Sequence, residues 1–191
     1  MNDRGKKLVE MVLAGKTEAF EPLVLPYGTS LLNLAFRMTG NMEDAKEAAQ
    51  ETLMRAFKYL RRYEPERSFR NWLYGILVNE ARKLRADRAN PPLPLETEAG
   101  TERALVANGP GPGDAHAARE TRSQLMECLT ALTAREKEIF LLRDIEELSI
   151  AEAAKALGTS SISVRVNLSR ARKKMKEAIL TRYPHLAEGV R

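Results

Sequence analysis

The chain has 191 residues, of which 43% are hydrophobic and 30% charged, with a formal net charge of +5 and an isoelectric point near 9.4. That length leaves room for one ordinary domain or two small ones, and the basic excess suits a polyanionic partner. A single cysteine, Cys128, and two distant histidines, His116 and His185, exclude a disulfide framework and a Cys/His zinc site. With no glycine-rich phosphate loop, nucleophile elbow or H-E-x-x-H pair, neither a cofactor nor an enzymatic role is expected.

The N-terminus, MNDRGKKLVE, is charged where a signal peptide needs its apolar core. No later run approaches the roughly 18 apolar residues that span a bilayer, so the expectation is a cytoplasmic protein without membrane insertion. From Asp3 to Arg88 the pattern is nearly all helical and gives four helices. Leu8, Met11, Val12 and Phe20 open it, and Leu31, Leu34, Ala35 and Met38 continue at helical spacing to a break at Gly40-Asn41.

Next comes a long helix, Met42 to Leu60, with Ala45, Ala49, Leu53, Ala56 and Leu60 on one stripe. Its other side carries Asp44, Glu47, Gln50, Glu51, Met54 and Arg55, which suits a helical partner with basic residues and equally an ordinary solvated face. Pro65 interrupts the chain, and a last helix runs from about Ser68 through Trp72, Leu73, Ile76 and Leu77 to Arg82-Lys83-Leu84-Arg85. Around that proline, Tyr59, Arg61, Arg62, Tyr63, Arg67, Phe69 and Arg70 interleave aromatic and basic residues. The mixture fits single-stranded DNA, where stacking contributes about 1 to 3 kcal/mol per base. Trp72 falls in line with Leu73 and Ile76 as core, whereas Phe69 fits either role.

Between Ala89 and Ala115, Pro91, Pro92, Pro94, Pro110 and Pro112 stand among four glycines, the composition of an extended, flexible linker. A second helical lobe follows. Ala117 to Leu132 gives a helix with Leu125, Cys128 and Leu129 inward, Thr133 to Glu136 reads as a capping box, and the next helix presents Ile139, Phe140 and Leu142. Ser149 caps Ile150 to Leu157, Gly158 ends it, and Ser160 or Ser161 caps a basic helix. That helix turns Val164, Leu168, Ala171 and Met175 inward and carries Arg165, Arg170, Arg172, Lys173, Lys174 and Lys176, with no acidic residue between Leu157 and Lys176. Two capped segments about a glycine turn, the second one basic, form a helix-turn-helix whose second helix would enter a DNA major groove. By itself the unit suits a repressor as readily as a subunit of a larger machine, and the basic run could also be a solubilising face.

Read in order, the two lobes resemble the extracytoplasmic-function (ECF) sigma factors of the sigma-70 family. In the first lobe, Asp44 to Glu51, DAKEAAQE, is similar to the family's D-A-E-D-L-V-Q-E. Ser68 to Tyr74, SFRNWLY, with Asn79 is similar to F-R-x-W-L-x-x-I-x-x-N. In the second, Leu132-Thr133, Leu148-Ser149, Glu152 and Val164 with Ser169-Arg-Ala-Arg172 match. The chain departs at Lys46, usually acidic in the family, and at Ile162 to Asn167, ISVRVN, where G-T-V-x-S-R is common.

The resemblance implies an all-α protein of two small helical domains joined by a flexible Pro/Gly-rich linker, the second a four-helix domain with the helix-turn-helix. Its boundaries are 1–88, linker 89–116, 117–183 and a tail 184–191. The partners implied are core RNA polymerase, through the beta prime clamp helices and the beta flap, promoter DNA in duplex and single-stranded form, and an anti-sigma factor. Asp44, Glu47, Gln50, Glu51, Met54 and Arg55 would bind polymerase. Tyr63, Arg67, Ser68, Arg70, Asn79, Arg82, Lys83 and Arg85 would bind the minus-ten element, residues 63–68 holding a flipped base. Ser161, Ser163, Arg165, Val166, Asn167, Ser169, Arg170 and Lys173 would bind the minus-thirty-five element. Arg165 and Arg170 suit guanine, and Ser161, Ser163 and the Lys173-Lys174 end suit phosphates; Val166 could meet a thymine methyl and Asn167 an adenine.

Overall fold

The structure is a computed structural model that describes residues 3–89 and 123–184. The linker 89–116, apart from Ala89, and the tail beyond Pro184 lie outside the described residues, as does the start of the helix expected from Ala117. The first lobe holds five helices rather than four: α1 (Asp3–Leu13), α2 (Phe20–Val24), α3 (Gly28–Thr39), α4 (Met42–Lys58) and α5 (Phe69–Ala89). The extra one, α2, is five residues long with Pro22 inside it, and Pro26 sits in the tight turn that follows. A piece that short, broken by prolines that lack an N–H donor, shows no periodicity to read.

At the α3–α4 junction, Gly40 takes φ +85° and its N–H donates to the Phe36 carbonyl, while Asn41 caps α4 by accepting the Asp44 N–H at 2.8 Å. The chain thus reverses in two residues, because glycine meets no Cβ penalty in the left-handed region. The inward stripe of α4 is Ala45, Ala48, Thr52 and Ala56, with Ala49 and Leu53 only half-buried. Thr52 tolerates burial because its hydroxyl donates to the Ala48 carbonyl at 2.6 Å. These small side chains bring α4 close to Leu31, Leu34, Ala35 and Met38 of α3 and to Leu73, Tyr74, Leu77 and Val78 of α5, all buried.

In the second lobe, α6 is described over 123–129, followed by α7 (Ala134–Phe140), α8 (Ile150–Ala156) and α9 (Ser161–Arg182). Both expected capping boxes form: Thr133 with Glu136 before α7, and Ser149 with Glu152 before α8. Ser160, not Ser161, caps α9 by accepting the Ser163 N–H at 3.2 Å. Thr133→Ala should cost about 1 kcal/mol. The melting transition of the second lobe in the full chain should fall by about 4–8 °C, whereas Thr181→Ala on an exposed helix end should leave it within ~2 °C.

Between α7 and α8 the chain runs through a π-helical turn, Leu141–Ile145, closed by the Glu146 N–H donating to the Leu141 carbonyl. The wider turn lets the adjacent Leu141 and Leu142 both be buried, and non-glycine Glu147 then adopts φ +58°. The two lobes touch where α5 crosses α8. A Cβ added to Gly75 would lie 3.5 Å from the Ala156 Cα, so the contact is small residue against small residue. Among the described residues no helix is long and apolar enough to cross a membrane.

Candidate nucleic-acid and polymerase surfaces

The turn between α8 and α9 is set by Gly158 at φ +59° and by the Ser160 cap. Val164, Leu168, Ala171 and Met175 anchor α9 in the lobe. Opposite them Ile162, Arg165, Val166, Ser169, Arg170, Lys173 and Lys176 are exposed. Arg165 and Arg170 have no acidic partner among the described residues, so their guanidinium forks are free for base edges or phosphates.

Other expected contacts in α9 are committed elsewhere. The Asn167 amide donates to the Ser163 carbonyl at 2.9 Å and approaches its hydroxyl at 3.4 Å, with Ser163 half-buried beside it. Arg172 grips Asp144 through two bonds of 2.8 and 2.7 Å, and Lys174 reaches the buried Glu136 at 2.7 Å. Ser161 is half-buried at the first turn, and Lys173 lies 4.0 Å from Glu177, a loose pair that leaves it exposed.

On α4, Glu47, Gln50 and Met54 are outward and Glu51 is half-exposed. With Ala48, Glu80, Lys83 and Leu84 they line a shallow cleft of about 240 Å³ between α4 and α5. Two members of the expected polymerase-binding set belong elsewhere. Asp44 is buried, exchanging hydrogen bonds with its cap Asn41 and pairing with Arg88. Arg55 is held by Glu51 at 2.8 Å and by the buried Glu80 at 2.9 Å. An acidic first-turn residue reads alike whether it closes the cap or faces a partner.

The aromatic segment also rearranges the expectation. Tyr63 is 6% exposed, its hydroxyl donating to the Arg67 carbonyl at 2.6 Å. Its ring centroid lies 5.1 Å from Phe69 and 5.3 Å from Trp72. It is therefore a wall of the core and not a free stacking platform. Arg67 pairs with Glu64, and Ser68 caps α5 by accepting the Asn71 N–H at 3.4 Å. Exposed Asn79 instead joins Tyr59, Arg62, Trp72, Ile76, Arg55 and Glu80 around a second cleft, about 230 Å³. Arg62 lies over the Tyr59 ring at 4.8 Å, and Trp72 adds a second aromatic ring to the lining. Tyr59 and Arg62 were visible as aromatic-basic alternation, but Trp72 read as pure core.

Three residues expected on minus-ten DNA are engaged by the second lobe. Arg82 grips Glu138 at 2.9 and 2.6 Å, Arg85 reaches the same carboxylate at 3.3 Å, and Arg70 donates to the Glu146 carbonyl at 3.2 Å. Arg37 and the Tyr74 hydroxyl add bonds of 3.3 and 2.6 Å to the Glu146 carboxylate, and Asn71 donates to Glu152 at 2.6 Å. In each of these pairs the donor is on the first lobe and the acceptor on the second. Burial alone would raise the Glu138 carboxyl, but Arg82 and then Arg85 hold it below the usual carboxylate range. Burial, then the bond to Glu146, pushes the Tyr74 phenol up to about 12. Of the expected set only Asn79 and Lys83 are exposed and neither ion-paired nor bonded to the second lobe among the described residues. No local spacing could have revealed contacts between residues 53 to 109 positions apart.

Comparison with known proteins matches both lobes. The profile of sigma-70 region 2 matches residues 23–90 and that of sigma-70 region 4 residues 122–175. The chain is 30% identical over 183 residues to the ECF RNA polymerase sigma factor SigW of Bacillus subtilis, covering 91% of this chain and 96% of that one. Its fold superposes on CnrH, solved in complex with the cytosolic domain of CnrY, with a TM-score of 0.69 at 26% identity over 94% of this chain and 99% of that one. It also superposes on RpoE of Bartonella quintana, solved with the anti-sigma factor NepR, with a TM-score of 0.62 at 21% identity over 84% of this chain and 96% of that one. The chain belongs to the ECF RNA polymerase sigma factors of the sigma-70 family.

Proposed function

We propose that this chain gives core RNA polymerase its promoter specificity while performing no covalent chemistry of its own. The observation that carries the reading is α9, whose outward face offers Arg165 and Arg170, without an acidic partner among the described residues, beside Lys173 and Lys176. Residues 1–88 dock on core enzyme and engage the minus-ten element, 117–183 read the minus-thirty-five duplex, and 89–116 connect them. Glu47, Gln50, Glu51 and Met54 meet the basic beta prime clamp helices, and the second lobe meets the beta flap. The cleft of Tyr59, Arg62, Trp72 and Asn79 receives a base of the opened strand, with Lys83 on the adjacent backbone. Binding the melted strand in preference to the duplex is what stabilises the open state.

The protein acts in the cytoplasm, where polymerase and promoter are. An anti-sigma factor is the natural regulator, and the fold shared with RpoE in its NepR complex supports that reading.

Run-off transcription tests it. Purified core enzyme plus this chain should give promoter-specific transcripts that core alone does not, and Arg165→Glu should reduce them at least tenfold, the scale of a lost bidentate base contact. Specific palindromic duplex binding by the isolated chain, with no effect on core enzyme, would point instead to a self-contained regulator.

A further inference from the structure

We infer that Ile162 and Val166 are specificity residues that read thymine 5-methyl groups in the major groove; this rests on α9 being the helix that enters that groove. At about 100° per residue, the buried Val164, Leu168, Ala171 and Met175 define one side of α9. Ile162, Val166, Ser169 and Lys173 fall along the line opposite. Ile162 is 71% exposed and Val166 44%. One exposed aliphatic needs no explanation. Two at i and i+4, at the centre of a face that is otherwise polar and basic, form an apolar strip with nothing among the described residues to pack on.

The remaining groups on α9 narrow what the strip can do. Asn167 is tied to Ser163, Arg172 to Asp144 and Lys174 to Glu136, so none competes for the centre of the groove. Arg165 and Arg170 flank the strip on either side, and neither has an acidic partner among the described residues. A partner covering this face must therefore be anionic at its edges and apolar in the middle. Duplex DNA meets that description, with phosphates at the groove walls and one apolar group on the groove floor, the thymine methyl.

The spacing adds a geometric requirement. Four residues of helix advance about 6 Å, and successive base pairs are separated by about 3.4 Å. The two side chains thus address methyls roughly two base steps apart, on either strand, with Arg165 between them reaching a guanine. The side chain beside Arg165 is then a methyl reader where the commoner family pattern has a serine.

Deoxyuridine scanning isolates the methyl, since it removes that group and keeps the base pair. Holoenzyme reconstituted from core polymerase and this chain would first select its upstream element from a promoter library. Each thymine of that element would then be replaced singly by deoxyuridine. Two positions, about two steps apart, should lose roughly fourfold in affinity, the factor for one methyl removed from apolar contact. Ile162→Ala should abolish the sensitivity at one position and Val166→Ala at the other, with unchanged melting temperatures because both residues are exposed.

The assignment is overturned if no replacement changes affinity while Arg165→Glu still abolishes binding; α9 then reads the groove without its methyls. It is overturned equally if the sensitivity survives in both alanine variants. If Arg165→Glu leaves upstream binding intact, the reading of α9 as the groove helix fails and takes this assignment with it. Loss of core-polymerase binding in Ile162→Ala and Val166→Ala, with deoxyuridine sensitivity absent, would show the strip to be a protein contact.

Discussion

Leu142→Ala should lower the melting temperature of the full chain's second lobe by roughly 10 °C or more and remove its contribution to DNA binding. Leu142 is fully buried, in a core it shares with Leu129, Ile139, Leu148 and Val164. Truncating such a leucine costs about 2–5 kcal/mol, the transfer free energy of the lost atoms plus the cavity left behind. A lobe of about 60 residues has a total stability of only about 3–9 kcal/mol. One cavity therefore consumes much of the margin, and each kcal/mol lowers the melting temperature by about 4–8 °C at this size. Leu180→Ala, at 46% exposure near the end of α9, is the matched control and should shift it by less than ~3 °C. A thermal melt followed by circular dichroism reads both, and equal melts for the two variants would remove Leu142 from the core.

Glu138→Lys should separate the lobes. The side chain is 5% exposed and is surrounded by Arg82, Arg85 and Arg135, with contacts from 2.6 to 3.4 Å. Reversing its charge places a fourth cation in that cluster with no anion to answer it, a change of about 3–5 kcal/mol or more for a buried site. The bonds to Glu146 and Glu152 then have to hold the lobes alone. X-ray scattering should show an increased radius of gyration, and an unchanged radius would mean that the Gly75–Ala156 contact and Glu146 suffice. Acid should act in the same direction. The Glu138 carboxyl is lowered in the folded arrangement, so its contribution is fully present above the ordinary carboxylate value of about 4.3 and is lost as pH falls through the lower folded value.

Where a feature depends on neighbours within one helical turn, the sequence carried it. Thr133 and Glu136, or Ser149 and Glu152, are three residues apart and close their boxes on each other. Gly158 sits where a left-handed residue must end α8, and Val164, Leu168, Ala171 and Met175 follow helical spacing. Sequence spacing failed where two environments impose the same pattern. Tyr63 beside arginines looks alike whether it stacks on a base or on Phe69, and the inward stripe of α4 shifted because a threonine can satisfy its own hydroxyl. The π-turn has no residue signature, since nothing in Leu-Leu-Arg-Asp-Ile marks a change of helical register. The carboxylates that hold Arg70, Arg82 and Arg85 were hidden by distance along the chain. Glu152 had already been accounted for as half of a cap, yet it also receives Asn71.

The pairing of Arg172 with Asp144 and Lys174 with Glu136 has a consequence for how the α9 contact responds to ionic strength. Each phosphate neutralised by a protein cation releases condensed counterions, and the logarithm of affinity falls by about 0.9 per contact for each unit of log salt. Six cations lie between Arg165 and Lys176, but two are already neutralised within the lobe. The remaining four set a ceiling of about −3.6 on the slope instead of about −5.4. The helix therefore gives up part of its salt-sensitive, sequence-blind attraction to DNA, and a larger share of its discrimination falls to the uncharged groups at its centre.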